Sequence, residues 1–432
     1  MNFFTRMERR KGFDFACVAL FAALVVVIPI SARAEMLRAG DNVAVIGDSI
    51  TEQKIYSVYI EDYLLMCQPA ANLEAHQFGW SGEAATGFLK RVESDVLPFH
   101  PTVATTLYGM NDGGYTASDP RTVAAFHDNT VAFIKKLQAG GVRLILVGSP
   151  GAVDSEQFKT WRLARCSPDG YNQTLLGLGN AAKQAAEETG ATFVDIHGPM
   201  MAAMEKAKAK YCADYPTTID GVHPLFNGHL VMAYAFLKAL GCGGDIGTIT
   251  LDAKTGAATA ADGHKIISAS PAKIEIESTR YPFCFVDDPA KKGSSRDVLD
   301  FVPFNEELNR FMFVVTNVPT SRMKVKWGAA EKTFTAEQLA AGINLAAEFP
   351  DNPFCGAFAK DEAAVKAQQA FETPATKILL HSLPAWEANL PEATNTLAQL
   401  ESDVVGKSLN LEAAARRAFV PVRHTLELSP IP

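Results

Sequence analysis

Val43-Ala44-Val45-Ile46-Gly47-Asp48-Ser49-Ile50-Thr51 is the stretch on which the reading of this chain turns. Four apolar residues in a row, three of them β-branched, fit a strand buried on both faces, and Gly47-Asp48 ends it with turn chemistry. The alternation then repeats. A helical pattern covers residues 56–66, a weaker strand 73–78, an amphipathic segment 86–97 and a third strand 103–108. Residues 120–139 read as a long helix stopped by Gly140-Gly141. Strands at 144–147 and 192–196 and helices at 170–189 and 225–240 complete the series. Five apolar strands separated by helices predict an α/β domain with a doubly wound five-stranded parallel sheet, covered on both faces.

Past Gly241 the texture changes. Lys273-Ile274-Glu275-Ile276-Glu277 and Met323-Lys324-Val325-Lys326-Trp327 have period two, and Phe311-Met312-Phe313-Val314-Val315 is wholly apolar, so a small β-rich unit is expected over 250–347. From Phe354 to Ala418 the pattern is helical again, and residues 348–432 read as a mainly helical tail.

Composition narrows the function classes. Of 432 residues, 48% are hydrophobic and 20% charged, enough to build a core and too apolar for general disorder. The net charge of −8 offers no way to neutralise phosphates, which excludes nucleic acid and an anionic membrane surface as main partners. Arg6, Arg9, Arg10 and Lys11 precede an apolar run, 15–30, and then Ala32-Arg33-Ala34. That order reads as an export signal over 1–34, removed to leave Glu35 first and no membrane span, with a periplasmic or extracellular destination. Arg9-Arg10 is too partial a twin-arginine pattern to choose the export route. The exported part would hold six cysteines, Cys67, Cys166, Cys212, Cys242, Cys284 and Cys355. These permit up to three disulfides or serve as small buried hydrophobes; no C-x-x-C pair is present.

Four short motifs fall at the ends of these elements. Gly47-Asp48-Ser49 places a serine at the carboxyl end of a strand, where open α/β sheets bind ligands, and a following helix would aim N–H groups at charge developing there. Gly79-Trp80-Ser81-Gly82-Glu83 follows the second strand, and Gly109-Met110-Asn111-Asp112 the third. Asp220-Gly221-Val222-His223-Pro224 precedes the last helix, so one loop presents a base of near-neutral pKa with an acid to orient it. Singly, these are a capped turn, a plain turn, an Asx-turn and a structural histidine.

In this order the set resembles the SGNH (GDSL-type) serine hydrolases, in a secreted bacterial subset with a C-terminal extension whose mark is Phe304-Asn305-Glu306-Glu307-Leu308-Asn309-Arg310-Phe311. The resemblance covers about residues 42–242, with Ile50 where leucine is usual and Gln77 where an asparagine often opens the second block. It implies a flavodoxin-like hydrolase domain over residues 35–245 and an ester hydrolase in which Ser49 attacks, His223 takes its proton and Asp220 orients the imidazole. The implied oxyanion donors are the Ser49 and Gly82 N–H groups and the Asn111 amide. No metal and no organic cofactor is implied. Trp80, Tyr115 and Trp161 are candidate walls for a sugar-sized pocket.

The expected activity is hydrolysis of carboxylic esters, with O-acetyl groups on carbohydrate as the first candidate and lipid esters or thioesters as alternatives. Two other readings stand beside it. One is a metallophosphoesterase using Asp48, Asn111, Asp112 and His223, although such sites usually draw on several histidines. The other is a glycan-binding protein that keeps an esterase core without turnover.

Overall fold

Val43 and Val45 join one hydrophobic cluster and Ala44 and Ile46 another, which is what a strand covered on both faces requires. The computed structural model describes residues 36–431. The export signal and its cut before Glu35 lie outside the described residues. Five parallel strands, β1 (Asn42–Gly47), β2 (Glu74–Gly79), β3 (Val103–Leu107), β4 (Leu144–Gly148) and β5 (Thr192–Val194), pair in the order β2-β1-β3-β4-β5. This is the flavodoxin-like order, and it puts the reversal point between β1 and β3, whose carboxyl ends lead to Ser49 and Asn111.

Seven helices accompany these strands: α1 (Ser49–Glu52), α2 (Tyr56–Met66), α3 (Ala85–Arg91), α4 (Pro120–Ala139), α5 (Pro168–Thr189), α6 (His197–Lys210) and α7 (Phe226–Ala239). Ile60 and Tyr63 of α2 and Phe236 of α7 cover the Val43 face, while Phe88, Phe133 and Leu178 cover the other. α6 is absent from the sequence reading. Its buried stripe, Met200, Ala203, Met204 and Ala207, has helical spacing but is made of small or flexible residues set among lysines.

Beyond α7 lie β6 (Asp245–Asp252), β7 (Ala258–Ala260), β8 (His264–Ser270), β9 (Lys273–Ser278), β10 (Arg310–Thr316), β11 (Arg322–Trp327), β12 (Ala330–Thr335), β13 (Ile343–Asn344) and β14 (Val422–Pro430). They form two further sheets, β13-β10-β6-β7 and β12-β11-β14-β9-β8. The alternating runs at 273 and 323 and the apolar run at 311 are strands, as the sequence led us to expect. β14 departs from the expected helical tail: the chain returns after its last helix to become the middle strand of the third sheet.

A buried chain of hydrogen bonds ties these sheets together. Trp327 Nε1 donates to His424 Nδ1 at 3.1 Å, so the His424 proton sits on Nε2 and is offered to Ser278 Oγ at 2.9 Å. The Ser278 hydroxyl then donates to His264 Nδ1 at 2.8 Å, and His264 Nε2 to the Ile246 carbonyl at 2.8 Å. Every donor has one acceptor only if both imidazoles are neutral. Burial agrees, pushing His424 down to about 3.

The helix Cys355–Pro374 covers the edge strand β2 and packs on α2. Glu372 meets His76 Nδ1 at 2.7 Å with both side chains fully buried, and Gln368 donates to the Ala75 carbonyl at 2.8 Å. The hydrophobic cluster that contains Val43 continues through Ile246, Phe311, Trp327 and Leu428. The sequence boundaries near 245, 250–347 and 348 therefore fall within one compact unit that begins at Met36. The six cysteines among the described residues are unbridged, and Cys67, Cys242 and Cys284 are buried. Of the two cysteine readings, small buried hydrophobes describe these three. No helix among the described residues is long and apolar enough to cross a membrane.

Candidate active site

β1 ends at Gly47, and Asp48 caps the turn that follows by accepting the Ile50 N–H at 2.9 Å. That turn, α1, is only four residues long, so what it offers a ligand is a few N–H groups rather than the field of a long helix. Its first residue is Ser49, whose Oγ lies 2.8 Å from His223 Nε2. His223 Nδ1 lies 2.8 Å from Asp220 Oδ2. The other Asp220 oxygen accepts the N–H groups of Val222 at 3.0 Å and His223 at 2.9 Å, which closes the loop on itself. Burial opposes the Asp220 charge, but the hydrogen bonds from His223 and Val222 outweigh it and hold the carboxyl below its ordinary range. An acceptor at Nδ1 keeps that nitrogen protonated and leaves Nε2 bare toward the serine hydroxyl.

Asn111 stands after β3. Its Oδ1 accepts the Tyr115 hydroxyl at 2.9 Å, which settles the amide orientation, and its Nδ2 donates to the Glu83 carbonyl at 3.0 Å and lies 3.4 Å from Asp48 Oδ2. Gly82 takes a φ of +77°, the left-handed region that favours glycine, and nothing lies within 4 Å of where a Cβ would stand. Backbone conformation, not crowding, asks for glycine there. The loop is anchored by Glu83, which takes Arg91 Nε at 2.8 Å, Arg91 Nη2 at 2.6 Å and the Tyr108 hydroxyl at 2.7 Å. Arg91 is buried and also donates to the Phe78 carbonyl at 2.8 Å.

The three aromatic candidates divide. Trp161 stands edge-on to His223 at 6.0 Å and 5.8 Å from the Tyr115 ring. Tyr115 is buried and spends its hydroxyl on Asn111. Trp80 has other neighbours: Arg91 and Lys377 lie over its ring at 5.2 and 5.0 Å, and His381 is edge-on at 4.8 Å. Sequence reasoning passed over Arg91, Tyr108 and Glu52; it named Tyr115 as a pocket wall but not as the partner of Asn111. Among the described residues no group of three His, Cys, Asp or Glu side chains is placed to hold a metal ion.

Asp48 is fully buried, and burial, aided by the charges of Asp112 and Glu83 and opposed by the Ile50 N–H, pushes its carboxyl up to about 7. An acid harder to ionise in the folded chain than in the unfolded one removes stability as pH rises, here from about 4 through about 7, by about 1.4 kcal/mol per pH unit while only the unfolded form is ionised. Asp48→Asn keeps an acceptor for Ile50 and removes the titration. The variant is therefore expected to gain on the wild type across that window and to keep a constant lead above it. Parallel pH profiles in chemical denaturation would rule this out.

Residues 45–231 match the model of the GDSL-like Lipase/Acylhydrolase family. An acetylxylan esterase from Geobacillus stearothermophilus is 24% identical over 220 residues, covering 47% of this chain and 95% of that protein. Its relative by structure, Axe2, an acetylxylan esterase of the same organism, is 23% identical over 48% of this chain and 96% of that one, with a TM-score of 0.39. A gut microbial diltiazem-metabolizing enzyme is similar over 91% of this chain and 98% of its own at 22% identity, with a TM-score of 0.72, so the fold with its C-terminal extension recurs there. The turn at Ser49, the loop at Gly82, Asn111 and the Asp220–His223 loop all lie within the matched span, and that span is a GDSL-like, or SGNH, domain of the kind that hydrolyses ester bonds.

Proposed function

We propose that this chain is an exported serine esterase that removes small acyl groups, O-acetyl groups on carbohydrate first among them. The observation that carries the reading is the unbroken relay Asp220–His223–Ser49, each link 2.8 Å long. Ser49 Oγ attacks the ester carbonyl as its proton passes to His223 Nε2, and Asp220 stabilises the imidazolium that forms. The oxyanion is held by the N–H groups of Ser49 and Gly82 and by the Asn111 amide, which Tyr115 orients. His223 returns its proton to the departing alcohol, then deprotonates a water that frees the acyl group and restores Ser49. The likeness to an acetylxylan esterase supports the carbohydrate side of the reading, and the basic–apolar–small pattern of residues 1–34 supports export.

The test is acetate release from acetylated xylo-oligosaccharides, with p-nitrophenyl acetate and butyrate in parallel and excess EDTA in duplicate tubes. Acetate is expected to exceed butyrate in kcat/KM by about tenfold or more, within the range that one or two methylenes in a pocket impose. EDTA should change nothing. A butyrate preference would move the substrate to longer acyl chains, loss of activity in EDTA would replace the mechanism, and glycan binding without turnover would leave a binding protein.

A further inference from the structure

Thr373, Lys377 and His381 recur every four residues where the helix Cys355–Pro374 runs on through the π turn Ala375–Leu379. They share one face; Thr373 and Lys377 on it meet the turn after β1 and the strand and loop around Gly82, while His381 Nδ1 also lies 3.3 Å from Asp95 Oδ2. Lys377 Nζ lies 3.0 Å from both carboxylate oxygens of Glu52, the last residue of α1. Glu52 in turn accepts the Ser81 N–H. Thr373 Oγ1 accepts from Gln77 Nε2 at 2.9 Å and from Lys54 Nζ at 3.3 Å, and Lys54 also donates to the Glu52 carbonyl at 2.7 Å. The indole of Trp80 lies beneath Lys377, with His381 against its edge. A Cβ on Gly79 would stand 2.2 Å from the Glu52 nitrogen, so the loop rests directly on the serine's own turn.

We propose that Lys377 is a positioning residue for ester hydrolysis: through Glu52 it fixes Ser81, and with it the direction of the Gly82 N–H toward Ser49. The proposal rests on the reading of Gly82 as an oxyanion donor. It gives the C-terminal extension a part in catalysis that the α/β domain cannot supply, since no residue of 36–245 replaces Lys377 on Glu52. It also accounts for Gln77 at the opening of the second block. Its Oε1 takes the Gly79 N–H at 2.6 Å, and its Nε2 reaches Thr373. The ion pair is partly shielded, with side-chain exposures of 24% for Lys377 and 19% for Glu52. Burial works against the Glu52 charge, yet hydrogen bonds from Ser81 and Lys377 hold its carboxyl below the ordinary range.

The test compares Lys377→Met, Lys377→Arg, Glu52→Gln and the Lys377→Met/Glu52→Gln double variant in the full chain, with p-nitrophenyl acetate as substrate and Ser49→Ala as reference. Displacing one oxyanion donor without deleting it should cost less than the 10²–10³ of outright removal. Lys377→Met is therefore expected to lower kcat by about 10- to 100-fold with KM within about twofold. Lys377→Arg should recover most of the loss, because a guanidinium can serve both oxygens. The double variant should be no worse than the poorer single one. Unchanged kcat in both Lys377→Met and Glu52→Gln, beside an inactive Ser49→Ala, would overturn the positioning role and leave the serine mechanism standing. Full activity in Ser49→Ala would remove the mechanism and the proposal together. A kcat loss that Lys377→Arg does not recover, matched by a fall in Tm, would mark Lys377 as a stability residue only and equally overturn it.

Discussion

Ser49→Ala is expected to lower kcat for p-nitrophenyl acetate by about 10⁴- to 10⁶-fold while leaving the melting temperature nearly unchanged. The two halves of that expectation have separate causes. The Ser49 hydroxyl makes its hydrogen bond to His223 and is half-buried at the crevice, so its removal opens no cavity in the core. On the proposed mechanism, nothing else in the relay can form the acyl-enzyme, and what would remain is the proposed oxyanion site acting on water. In the proposed mechanism Ser49, His223 and Asp220 act as a unit, so His223→Ala should be about as damaging, and the double variant scarcely worse than either. Asp220→Asn should cost about 10⁴, since an amide presents the wrong partner to Nδ1. Steady-state assays on freshly purified protein measure all four, and retention of more than about a hundredth of wild-type activity by Ser49→Ala would exclude the covalent mechanism.

Gly221→Ala carries the largest expected stability effect, although it adds one methyl group. Gly221 has a φ of +96°, and a Cβ there would stand 2.3 Å from the Phe158 nitrogen and 2.4 Å from its Cα. Neither side can yield cheaply. Phe158 is fully buried and stacked on Tyr171 at 5.3 Å with the rings 4° apart. On the other side, the Gly221 N–H donates to Thr218 Oγ1 at 3.0 Å and its carbonyl accepts from Asp154 at 2.9 Å. Backbone strain added to a clash with backbone atoms places the loss at about 3–5 kcal/mol. Gly221 lies between Asp220 and His223, so whatever fold survives holds the imidazole out of place, and kcat should fall by about 10²-fold or more. Chemical denaturation together with kcat checks both. A variant of wild-type stability would mean that the 157–158 backbone is far softer than its packing implies.

What could be read in the sequence is what the chain encodes over short spans. Val43 to Ile46 declare a two-faced strand within four residues, and Asp220 and His223 share one loop, so neither needs long-range information. The same holds for Asn111 after β3. The missing parts depend on contacts far apart in the chain or run against the hydrophobic pattern. Lys377 and Glu52 are 325 positions apart, and no periodicity links them. Trp80 reads as a pocket wall until the segment that brings Lys377 and His381 to it is placed. Glu61 and Asp62 are buried inside α2 against the helix Cys355–Pro374, where a pattern reader puts charged residues on the surface. β14 does alternate, with His424, Leu426 and Leu428 inward, but this short signal follows a long helical stretch and its strand neighbours come from residues 273–278 and 322–327.

The central place of β14 has a consequence for how the protein is made. The middle strand of its sheet is the last to leave the ribosome, after the β8–β9 and β11–β12 hairpins have both been synthesised. Roughly 90 residues separate the end of β11 from β14, which at translation rates of about 5–20 residues per second leaves two facing strand edges unpaired for several seconds or more. During that interval each edge is a template for any other nascent chain nearby. Charged side chains line both waiting edges, Lys273, Glu275 and Glu277 on β9 and Arg322, Lys324 and Lys326 on β11, and they discourage pairing of either edge with a stray strand. When β14 arrives it brings Glu427 opposite Lys273 and Lys326 and Arg423 opposite Glu277, so charges that guard the open edges become partners of the strand that fills the gap.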